Sequence, residues 1–425
     1  MGFVMTLKLI FDIRSNHDTG VSRYGLSLLQ AAAPVMAAMG WRLTVIAWKF
    51  QERRARQASI PYGAEVLICP EPEGFVRVSP WLQDLVCSVR PDLYYTTHYT
   101  ADPFLPTPFV FTIHDLTRLK YPELSYTDDS FVRRFGWNEF IKLKLDLETL
   151  STRFETDDGG DVFTQYFAKL NRMLVERASL VTVVSRSTAL DVRSLLNVPV
   201  HRLALVPGAV DPSVFHPTTT EAVRAVRTKY ALTGPYVLYV GLANANKRFP
   251  WLVEQLFTRT NELPAELRLV AVGGHAETLP EVGLMLADHG TGRVVFTGRV
   301  PDVELAALYT GASALVTASF NEGVGLPCLE AAACGTPVIA PDIVPLRESL
   351  ADAGLFYSPG DGGAMRSLIA SVVNRAGRTP ASDFEPPRWH RSGRLLVAAL
   401  QRAAVTGIAA PGVSDLYAAS QRAVR

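Results

Sequence analysis

Two glutamates eight positions apart, Glu322 and Glu330, stand in the segment 320–341, which follows the apolar run ALVT. The glycines between them and Pro327 predict a turn that leads into a helix, because proline is tolerated in the first helical turn. Backbone N–H groups at a helix start attract phosphate, and carboxylate oxygens accept hydrogen bonds from sugar hydroxyls. The segment therefore suits a phosphorylated sugar ligand. The alternative is a loop acid followed by a solvated helix residue.

A second segment, YVLYVGLANANKRFPWLVEQL, ends a predicted strand at Val240 and opens a loop at Gly241. Lys247 and Arg248 stand side by side at the end of this loop, just before a predicted helix. Lysine binds phosphate as a point charge, and arginine can bind two oxygens at once. Together they could hold a diphosphate and offset the charge that develops on a departing phosphate. The alternative is a pair of ordinary surface cations.

His114 and Asp115 follow directly after the apolar run FVFTI. Open α/β sheets bind ligands at the carboxyl ends of their strands, so this imidazole could bind a hydroxyl group or help to accept its proton. A purely structural histidine is the alternative.

The loop after the first predicted strand contains Gly20 and Gly25 near a helix start. It could admit a phosphate or a second substrate, or it could form a plain turn.

The motifs and charges of the chain exclude several classes of protein. No G-x-G-x-x-G follows the first strand and no G-x-x-x-x-G-K-[ST] occurs, which disfavours dinucleotide and P-loop sites. The chain contains no D-x-D triplet, so no metal site of that kind is predicted. Lys plus Arg is 42 and Asp plus Glu is 41, a balance that argues against a nucleic-acid partner. The four cysteines form no C-x-x-C pair, and we expect buried thiols.

Short apolar runs alternate with helical patterns along the chain, which predicts an α/β fold with parallel sheets. A length of 425 residues favours two domains. In the first half, the predicted strands are Leu7–Ile13, Leu43–Trp48, Val66–Cys69, Leu93–Tyr95, Phe109–Ile113, Leu180–Val184 and Leu203–Val206. In the second half, they are Tyr236–Val240, Arg268–Val272, Val294–Phe296, Ala314–Thr317, Pro337–Ala340 and Leu355–Tyr357.

Proline and glycine between Pro207 and Pro235 indicate a linker between the two groups of strands. We predict one domain over 1–210, a second over 211–387 and a final amphipathic helix within 388–425. Residues 121–160 do not fit a βα unit and predict a helical insertion with a mobile tip. The first residues read as a strand rather than a signal peptide, and no apolar stretch reaches the roughly 18 residues that span a bilayer.

Taken together, these segments resemble the GT-B glycosyltransferases of family 4, also called glycosyl transferases group 1. The E-x7-E pattern of Glu322 and Glu330, within NEGVGLPCLEAAACGTPVIA, looks like the donor-site signature of that family. GLANANKRFP looks like its phosphate loop, and IHDL looks like its strand–His–Asp element. The resemblance covers nearly the whole chain outside the insertion. It implies two Rossmann-like domains that face a central cleft, with the C-terminal helix crossing back to the first domain.

The resemblance also implies roles for individual residues. Glu322 would contact the transferred sugar, and Glu330 would bind the ribose hydroxyls. Lys247 and Arg248 would hold the diphosphate, and His114 would act near the sugar and the acceptor. The other donor-site positions that it implies are Gly241, Gly323, Val324, Gly325 and Leu326. The positions that it places beside the acceptor or phosphate path are Gly20 and Asp115.

The implied activity is a retaining, metal-independent hexosyl transfer from a nucleotide diphosphate sugar to a glycan or glycolipid acceptor in bacterial surface-polysaccharide synthesis. No cofactor is implied beyond the substrate. The lean is to GDP-mannose, because the Lys–Arg phosphate loop and the IHDL text look like those of bacterial mannosyltransferases. UDP- and dTDP-sugars stay open, since this chain departs from many relatives in having Arg248 where they have asparagine. Gly20 also stands alone where some relatives have a run of glycines. The alternatives are an epimerase or hydrolase of nucleotide sugars, or a non-catalytic binding partner on the same fold.

The expected location is the cytoplasm, with peripheral contact at the inner face of the plasma membrane. The insertion supplies the aromatic and basic side chains that could dock there. They are Phe131, Arg133, Arg134, Phe135 and Trp137.

Overall fold

The computed structural model describes residues 6–15, 19–71, 79–99, 101–151, 160–257, 262–274, 282–283, 292–374 and 384–406. The chain divides into two compact units. The first unit comprises Met1–Gly208 and Trp389–Arg425, and the second comprises Ala209–Arg388. The tip of the predicted insertion falls largely outside the described residues.

The first unit is built on a seven-stranded parallel sheet in the spatial order β3-β2-β1-β4-β5-β6-β7. Leu9 of β1 pairs with Leu43 of β2 on one side and Leu93 of β4 on the other, so the strand order reverses between β1 and β4. The strands are β1 (Lys8–Asp12), β2 (Arg42–Ala47), β3 (Glu65–Ile68), β4 (Leu93–Thr96), β5 (Phe109–Ile113), β6 (Leu180–Val183) and β7 (Leu203–Leu205).

Helices cover the sheet of the first unit, and side-chain caps fix where several of them start. Ser185 Oγ, for example, accepts a hydrogen bond from the backbone N–H of Thr188, which satisfies a donor that the helix itself leaves unpaired. The described α-helices are Gly20–Ala38, Glu52–Ser59, Pro80–Val89, Thr117–Lys120, Asp128–Phe135, Trp137–Ser151, Val162–Arg177, Arg186–Leu196 and Trp389–Thr406. The described 3₁₀ helices are Lys49–Gln51, Ile60–Tyr62, Pro122–Leu124 and Val200–Arg202.

The helix Trp389–Thr406 packs against the helix Gly20–Ala38 of the same unit. A Cβ atom on Gly393 would lie 2.7 Å from the backbone carbon of Ala31, so only glycine allows the two backbones to approach this closely. The hydroxyl of Ser392 also donates a hydrogen bond to the carbonyl of Pro207. The last described helix is therefore a structural part of the first unit.

The second unit carries a six-stranded parallel sheet in the order β10-β9-β8-β11-β12-β13, and its strand order reverses between β8 and β11. All thirteen predicted strands are confirmed among the described residues, and so is the α/β fold class. The strands of this unit are β8 (Tyr236–Val240), β9 (Arg268–Val272), β10 (Val294–Gly298), β11 (Ala314–Val316), β12 (Val338–Pro341) and β13 (Gly354–Tyr357). The described helices are Thr220–Lys229, Phe249–Phe257, Asp302–Gly311, Leu326–Ala333, Val344–Leu350 and Gly362–Val373, with 3₁₀ turns at Ala245–Lys247 and Ala351–Ala353.

The expectation of buried thiols holds for Cys69, Cys328 and Cys334 but is wrong for Cys87, which is exposed at the end of a surface helix. Among the described residues, no helix combines the length and the apolar composition that crossing a bilayer requires.

Candidate functional site

The candidate site lies where the strand order of the second sheet reverses. At such a switch point the loops after two neighbouring parallel strands run in opposite directions and leave a crevice at the carboxyl edge. Gly241 follows β8, and the segment that contains Glu322 follows β11. The backbone N–H of Phe320 donates a 2.7 Å hydrogen bond to the carbonyl of Asn246, which ties the two loops together.

Lys247 and Glu322 form an ion pair across this edge, with Nζ 2.5 Å from Oε1. Their side chains are 23% and 12% exposed, so both groups remain within reach of solvent. The charges of this pair affect the pKa values of a neighbouring phenol and a neighbouring thiol. Burial first, and then the Glu322 carboxylate, raise the pKa of the Tyr239 hydroxyl. The structure thus brings the predicted cation and the predicted acid together at one edge, although neither segment alone indicated that they touch.

Glu330 lies in the helix Leu326–Ala333 and is buried, with only 4% of its surface exposed. The hydroxyl of Tyr309 donates a 3.0 Å hydrogen bond to its Oε2 atom, which holds the carboxylate in place. The buried thiol of Cys328 lies within electrostatic reach of Glu322, Lys247 and Glu330 together. Burial and the two carboxylates raise its pKa, while Lys247 opposes them. The structure therefore gathers both predicted glutamates and the predicted lysine around one residue.

The turn from Gly323 to Leu326 leads from the carboxyl edge into this helix. Gly325 adopts φ +77°, and a Cβ atom there would lie 2.5 Å from Cδ2 of Leu346. Both the backbone conformation and the lack of space therefore require glycine at this position. The Ser349 hydroxyl donates a 2.6 Å hydrogen bond to the carbonyl of Val324 and fixes the turn. The N-terminus of this helix is the positive end of its dipole, and it lies at a rigid turn that directly follows Glu322.

Arg248 follows Lys247 in a left-handed conformation, with φ +50°. Its guanidinium lies 4.6 Å from the ring centroid of Trp251. Its charge also lowers the pKa of the Tyr357 hydroxyl, against the larger raising effect of burial.

Sequence reasoning missed Gly273, which shapes the same edge. A Cβ atom on Gly273 would lie 2.2 Å from the carbonyl oxygen of Gly241, a distance that no side chain tolerates. Both glycines have positive φ values, +131° at Gly273 and +153° at Gly241. The loop after β8 can therefore pass close to the loop after β9. The pair of glycines after β9 was the available signal, since glycine at a strand end often marks close backbone approach.

His114 lies at the corresponding carboxyl edge of the first sheet, after β5. Its Nε2 atom is 2.8 Å from the carbonyl oxygen of Thr97. A carbonyl only accepts hydrogen bonds, so Nε2 carries the proton and Nδ1 is the basic atom. Burial lowers the pKa of His114, while the Thr97 carbonyl and Asp115 raise it. The ring packs edge-on against Tyr24, with centroids 4.8 Å apart. The result is a neutral imidazole with a fixed tautomer.

The two remaining predicted residues of the first unit lie close to helix starts. Asp115 Oδ1 accepts a 2.9 Å hydrogen bond from the backbone N–H of Thr117, so this carboxylate stabilises the short helix Thr117–Lys120. Gly20 is the exposed first residue of the helix Gly20–Ala38, and a Cβ atom there would meet no atom within 4 Å. Gly25, expected to flank the helix start, is inside the helix, where a Cβ atom would lie 2.8 Å from Thr97 Oγ1.

Two further polar groups at this edge were not identified from the sequence. Arg14 is 1% exposed, and its Nε and Nη2 atoms donate hydrogen bonds to Asp12, which also accepts one from the Tyr94 hydroxyl. His98, after β4, is also buried, and its ring centroid lies 6.1 Å from that of His114. The rule that identified His114, a histidine at a strand end, would have identified His98 as well.

No group of three or more His, Cys, Asp or Glu side chains occurs among the described residues in an arrangement that could hold a metal ion.

Two parallel-sheet units, each with polar residues at its switch point, define the two-domain class of α/β enzymes called GT-B. The fold is similar to that of Anabaena Alr3699/HepE, crystallised in complex with UDP-glucose, with a TM-score of 0.61 and 16% identity. That likeness covers 97% of this chain and 100% of the other. A crystal structure of WaaG, a glycosyltransferase involved in lipopolysaccharide biosynthesis, gives a TM-score of 0.59 and 16% identity over 94% and 100% of the chains.

The sequence comparisons narrow the class to a family. Residues 19–214 match the model described as Glycosyltransferase Family 4, and residues 234–375 match the model described as Glycosyl transferases group 1. The chain belongs to this family of glycosyltransferases. O-antigen chain mannosyltransferase B of Escherichia coli is 31% identical over 211 residues, which are 48% of this chain and 54% of that protein. The chain thus spans about half the length of that relative.

Proposed function

We propose that this protein transfers a hexose from a nucleotide diphosphate sugar to a glycan or glycolipid acceptor in bacterial surface-polysaccharide synthesis. One observation carries the proposal: Lys247 and Glu322 pair at the carboxyl edge of β8 and β11, beside the start of the helix Leu326–Ala333. A cation and a helix N-terminus suit a diphosphate, and a carboxylate suits the hydroxyls of a sugar.

We assign the parts of the donor to the residues gathered at this edge. Lys247 and Arg248 bind the diphosphate, with amides of the turn Gly323–Leu326 and the loop at Gly241. Glu322 exchanges its lysine partner for hydroxyls of the transferred sugar. Glu330, held at Oε2 by Tyr309, binds the ribose hydroxyls.

The proposed reaction retains the anomeric configuration and needs no metal ion. Lys247 and Arg248 offset the charge that grows on the leaving phosphate, which is the task that a divalent cation performs in other transferases. The phosphate oxygen then helps to accept the proton of the attacking hydroxyl. His114, neutral and with Nδ1 as its basic atom, is assigned to the sugar and acceptor in the first unit. Gly20 and Asp115 border the acceptor path.

The donor that we favour is GDP-mannose, with a UDP- or dTDP-sugar as the alternative. Support comes from the relative named O-antigen chain mannosyltransferase B. We further propose that the enzyme works in the cytoplasm on a lipid-linked acceptor at the inner face of the membrane.

A thermal-unfolding panel with GDP, UDP and dTDP tests the donor site, because a ligand that binds only the folded state stabilises it. At a hundred times its Kd, the correct nucleotide adds about 2.7 kcal/mol to the free energy of unfolding. Selective stabilisation by GDP is expected. No response to any nucleotide diphosphate would contradict the proposed function itself.

Product analysis tests the reaction. With labelled donor and a mannose-containing acceptor, the expected product is an extended glycan whose new bond keeps the anomeric configuration of the donor, as read by NMR. The yield should be unchanged by a metal chelator. Free hexose as the sole product, even with acceptor present, would identify a hydrolase instead, and an isomerised nucleotide sugar would identify an epimerase.

A further inference from the structure

Tyr24 is a buried side chain of the helix Gly20–Ala38, with only 1% of its surface exposed. Its ring packs edge-on against the imidazole of His114, with the centroids 4.8 Å apart and the planes at 83°. An edge-to-face contact of this kind is favourable beyond the apolar area that it buries. The contact joins the helix that begins at Gly20 to the histidine at the carboxyl edge of the first sheet.

The hydrogen bond between Nε2 of His114 and the carbonyl oxygen of Thr97 fixes one atom of the imidazole. A ring that is held at one atom can still tilt, and its second nitrogen then changes direction. The ring of Tyr24 blocks this tilt where the two rings touch. The hydrogen bond and the ring contact together therefore determine where Nδ1 of His114 points.

Tyr24 is itself held at both its hydroxyl and its ring. The hydroxyl donates a 2.9 Å hydrogen bond to the carbonyl of Val206. Burial raises the pKa of this hydroxyl well above its ordinary value, so it keeps the proton that it donates. The ring packs against Trp389, the first residue of the last described helix, with the centroids 5.5 Å apart. The tyrosine is therefore a fixed support for the imidazole.

Close backbone approaches also fix the helix that carries Tyr24. A Cβ atom on the next residue, Gly25, would lie 2.8 Å from Oγ1 of Thr97, the residue whose carbonyl binds the imidazole. Gly393 lets the last described helix approach the same helix from its own side. The support and the imidazole are therefore referred to the same strand end.

We infer that Tyr24 is a positioning residue for His114, whose ring it holds in the orientation in which Nδ1 meets the hydroxyl of the acceptor. Tyr24 touches no substrate in this role and acts only through the histidine. The inference rests on the proposed function, because His114 is assigned there to the sugar and the acceptor. A tyrosine that only filled space in the core would contribute to stability and leave the chemistry unchanged.

Steady-state kinetics of the full-length protein with GDP-mannose and a mannose-containing acceptor test the role. Tyr24→Leu should lower kcat about tenfold, since a misplaced catalytic group is costly. The KM for the donor and the stabilisation by nucleotide diphosphate should stay at the parent values. Tyr24→Phe keeps the ring and should retain most of kcat, although its melting temperature should fall because the Val206 carbonyl loses its donor.

A double-mutant cycle separates positioning from packing. In a His114→Gln background, Tyr24→Leu should lower kcat no further, because the group that it positions is gone. Trp389→Leu removes the support of the Tyr24 ring and is the second variant if Tyr24→Leu does not fold. It should lower kcat in the parent background and leave it unchanged in the His114→Gln background.

NMR of isotope-labelled histidine gives a readout that does not depend on turnover. The His114 signal, assigned with His114→Gln, should show the proton on Nε2 in the parent and a mixture of tautomers in Tyr24→Leu. Its pKa should rise in this variant, because burial is the main cause that lowers it and water then reaches the ring. kcat should accordingly fall at a higher pH on the acid side.

The other titratable groups around the imidazole do not explain such a difference. Asp115 raises the pKa of His114 in the parent and in the variant alike. His98, whose ring centroid lies 6.1 Å away, stays neutral because burial lowers its pKa well below its ordinary value.

The matched control is Phe109→Leu. Phe109 is an aromatic residue with 1% of its surface exposed, at the opposite end of the strand that His114 follows. This variant should lower the melting temperature, as Tyr24→Leu does, without changing kcat or the tautomer of His114.

Four outcomes overturn the positioning role. Tyr24→Leu keeps the kcat and the tautomer of the parent, it loses as much kcat in the His114→Gln background, Tyr24→Phe loses as much kcat as Tyr24→Leu, or Phe109→Leu loses as much. Stabilisation by a nucleotide diphosphate is measured for every protein, so failure of the proposed function is recognised separately. The NMR readout tests Tyr24 even where no sugar transfer is detected.

Discussion

Lys247 and Glu322 are 75 positions apart in the chain, yet Nζ of one lies 2.5 Å from Oε1 of the other at the carboxyl edge of two adjacent strands. Partly exposed pairs of this kind contribute about 0–1 kcal/mol to stability, so the pair does little to hold the fold together. Its importance is chemical. In the proposed donor complex, Lys247 exchanges the carboxylate of Glu322 for the diphosphate, and Glu322 exchanges the ammonium of Lys247 for sugar hydroxyls.

Lys247→Ala should therefore damage donor binding far more than it damages the fold. A charge-assisted hydrogen bond contributes roughly 1.5–3 kcal/mol, which corresponds to a loss of about 10- to 150-fold in kcat/KM. The free energy of unfolding should change by less than about 1 kcal/mol. Enzyme assays and nucleotide-induced thermal shifts measure the two effects. Lys229→Ala is the control, because Lys229 forms an exposed ion pair with Glu304 in the same unit. Equal nucleotide affinity in both variants would contradict the assignment of Lys247.

Gly325→Ala should destabilise the second unit through two separate effects. The left-handed conformation costs a residue with a side chain about 1–2 kcal/mol, and overpacking against Leu346 adds about 1–3 kcal/mol. Gly360 isolates the first effect, because it has φ +89° but a Cβ atom there would meet nothing within 4 Å. Gly325→Ala should therefore lose more stability than Gly360→Ala in urea unfolding. Equal losses would show that the contact with Leu346 is easily relieved.

The fold could be predicted from the sequence because parallel strands buried on both faces leave continuous apolar runs. β5, β8 and β9 begin and end where the pattern placed them. Strand ends such as Trp48 were assigned one residue too far, since an apolar residue after a strand is also buried. The order of strands in each sheet, and hence the two switch points, depends on contacts between distant segments that no local pattern contains.

The candidate site was predictable where glycine, proline and charge coincide with a strand end, as at Lys247 and in the turn before Leu326. The local pattern does not indicate which residues that are distant in the chain contact one another. Nothing near Asp12 indicates that its carboxylate accepts a hydrogen bond from Tyr94, 82 positions later, or that Arg14 is buried beside it. The sequence also did not indicate which aromatic side chains of the insertion are exposed. Phe131, one of the expected docking side chains, is fully buried, whereas Trp137 is 63% exposed.

Asp12→Asn should be strongly destabilising, because it removes the hydrogen-bonded counter-charge of the buried Arg14 guanidinium and leaves only Glu71, 4.0 Å away. Breaking one partner of a buried pair costs about 3–5 kcal/mol. Asp342→Asn is the matched control. Asp342 accepts hydrogen bonds from Nε and Nη2 of Arg347, the same two atoms that Arg14 uses to bind Asp12. The side chains of Arg347 and Asp342 are 52% and 44% exposed. The control should lose less than about 1 kcal/mol. Chemical unfolding measures both, and similar losses would mean that water reaches Arg14.

The stability of the first unit should fall as the pH is lowered, because it holds a buried neutral histidine, His98, and a half-buried neutral histidine, His114. Burial lowers the pKa of His98 well below its ordinary value, with smaller effects of His114 and Arg118, and burial also lowers the pKa of His114. The folded state then binds fewer protons than the unfolded state. The stabilisation is present above the unfolded pKa of about 6.5 and is lost as the pH falls toward the folded values.

Urea unfolding between pH 7.5 and pH 5 should show this loss, with a slope of up to about 1.4 kcal/mol per pH unit for each histidine. His98→Gln and His114→Gln should each reduce the slope, because glutamine does not titrate. His201→Gln is the control, since His201 is exposed in the same unit and should leave the slope unchanged. If His98→Gln and His114→Gln both retain the slope of the parent protein, the acid sensitivity has another origin and these two rings are open to water.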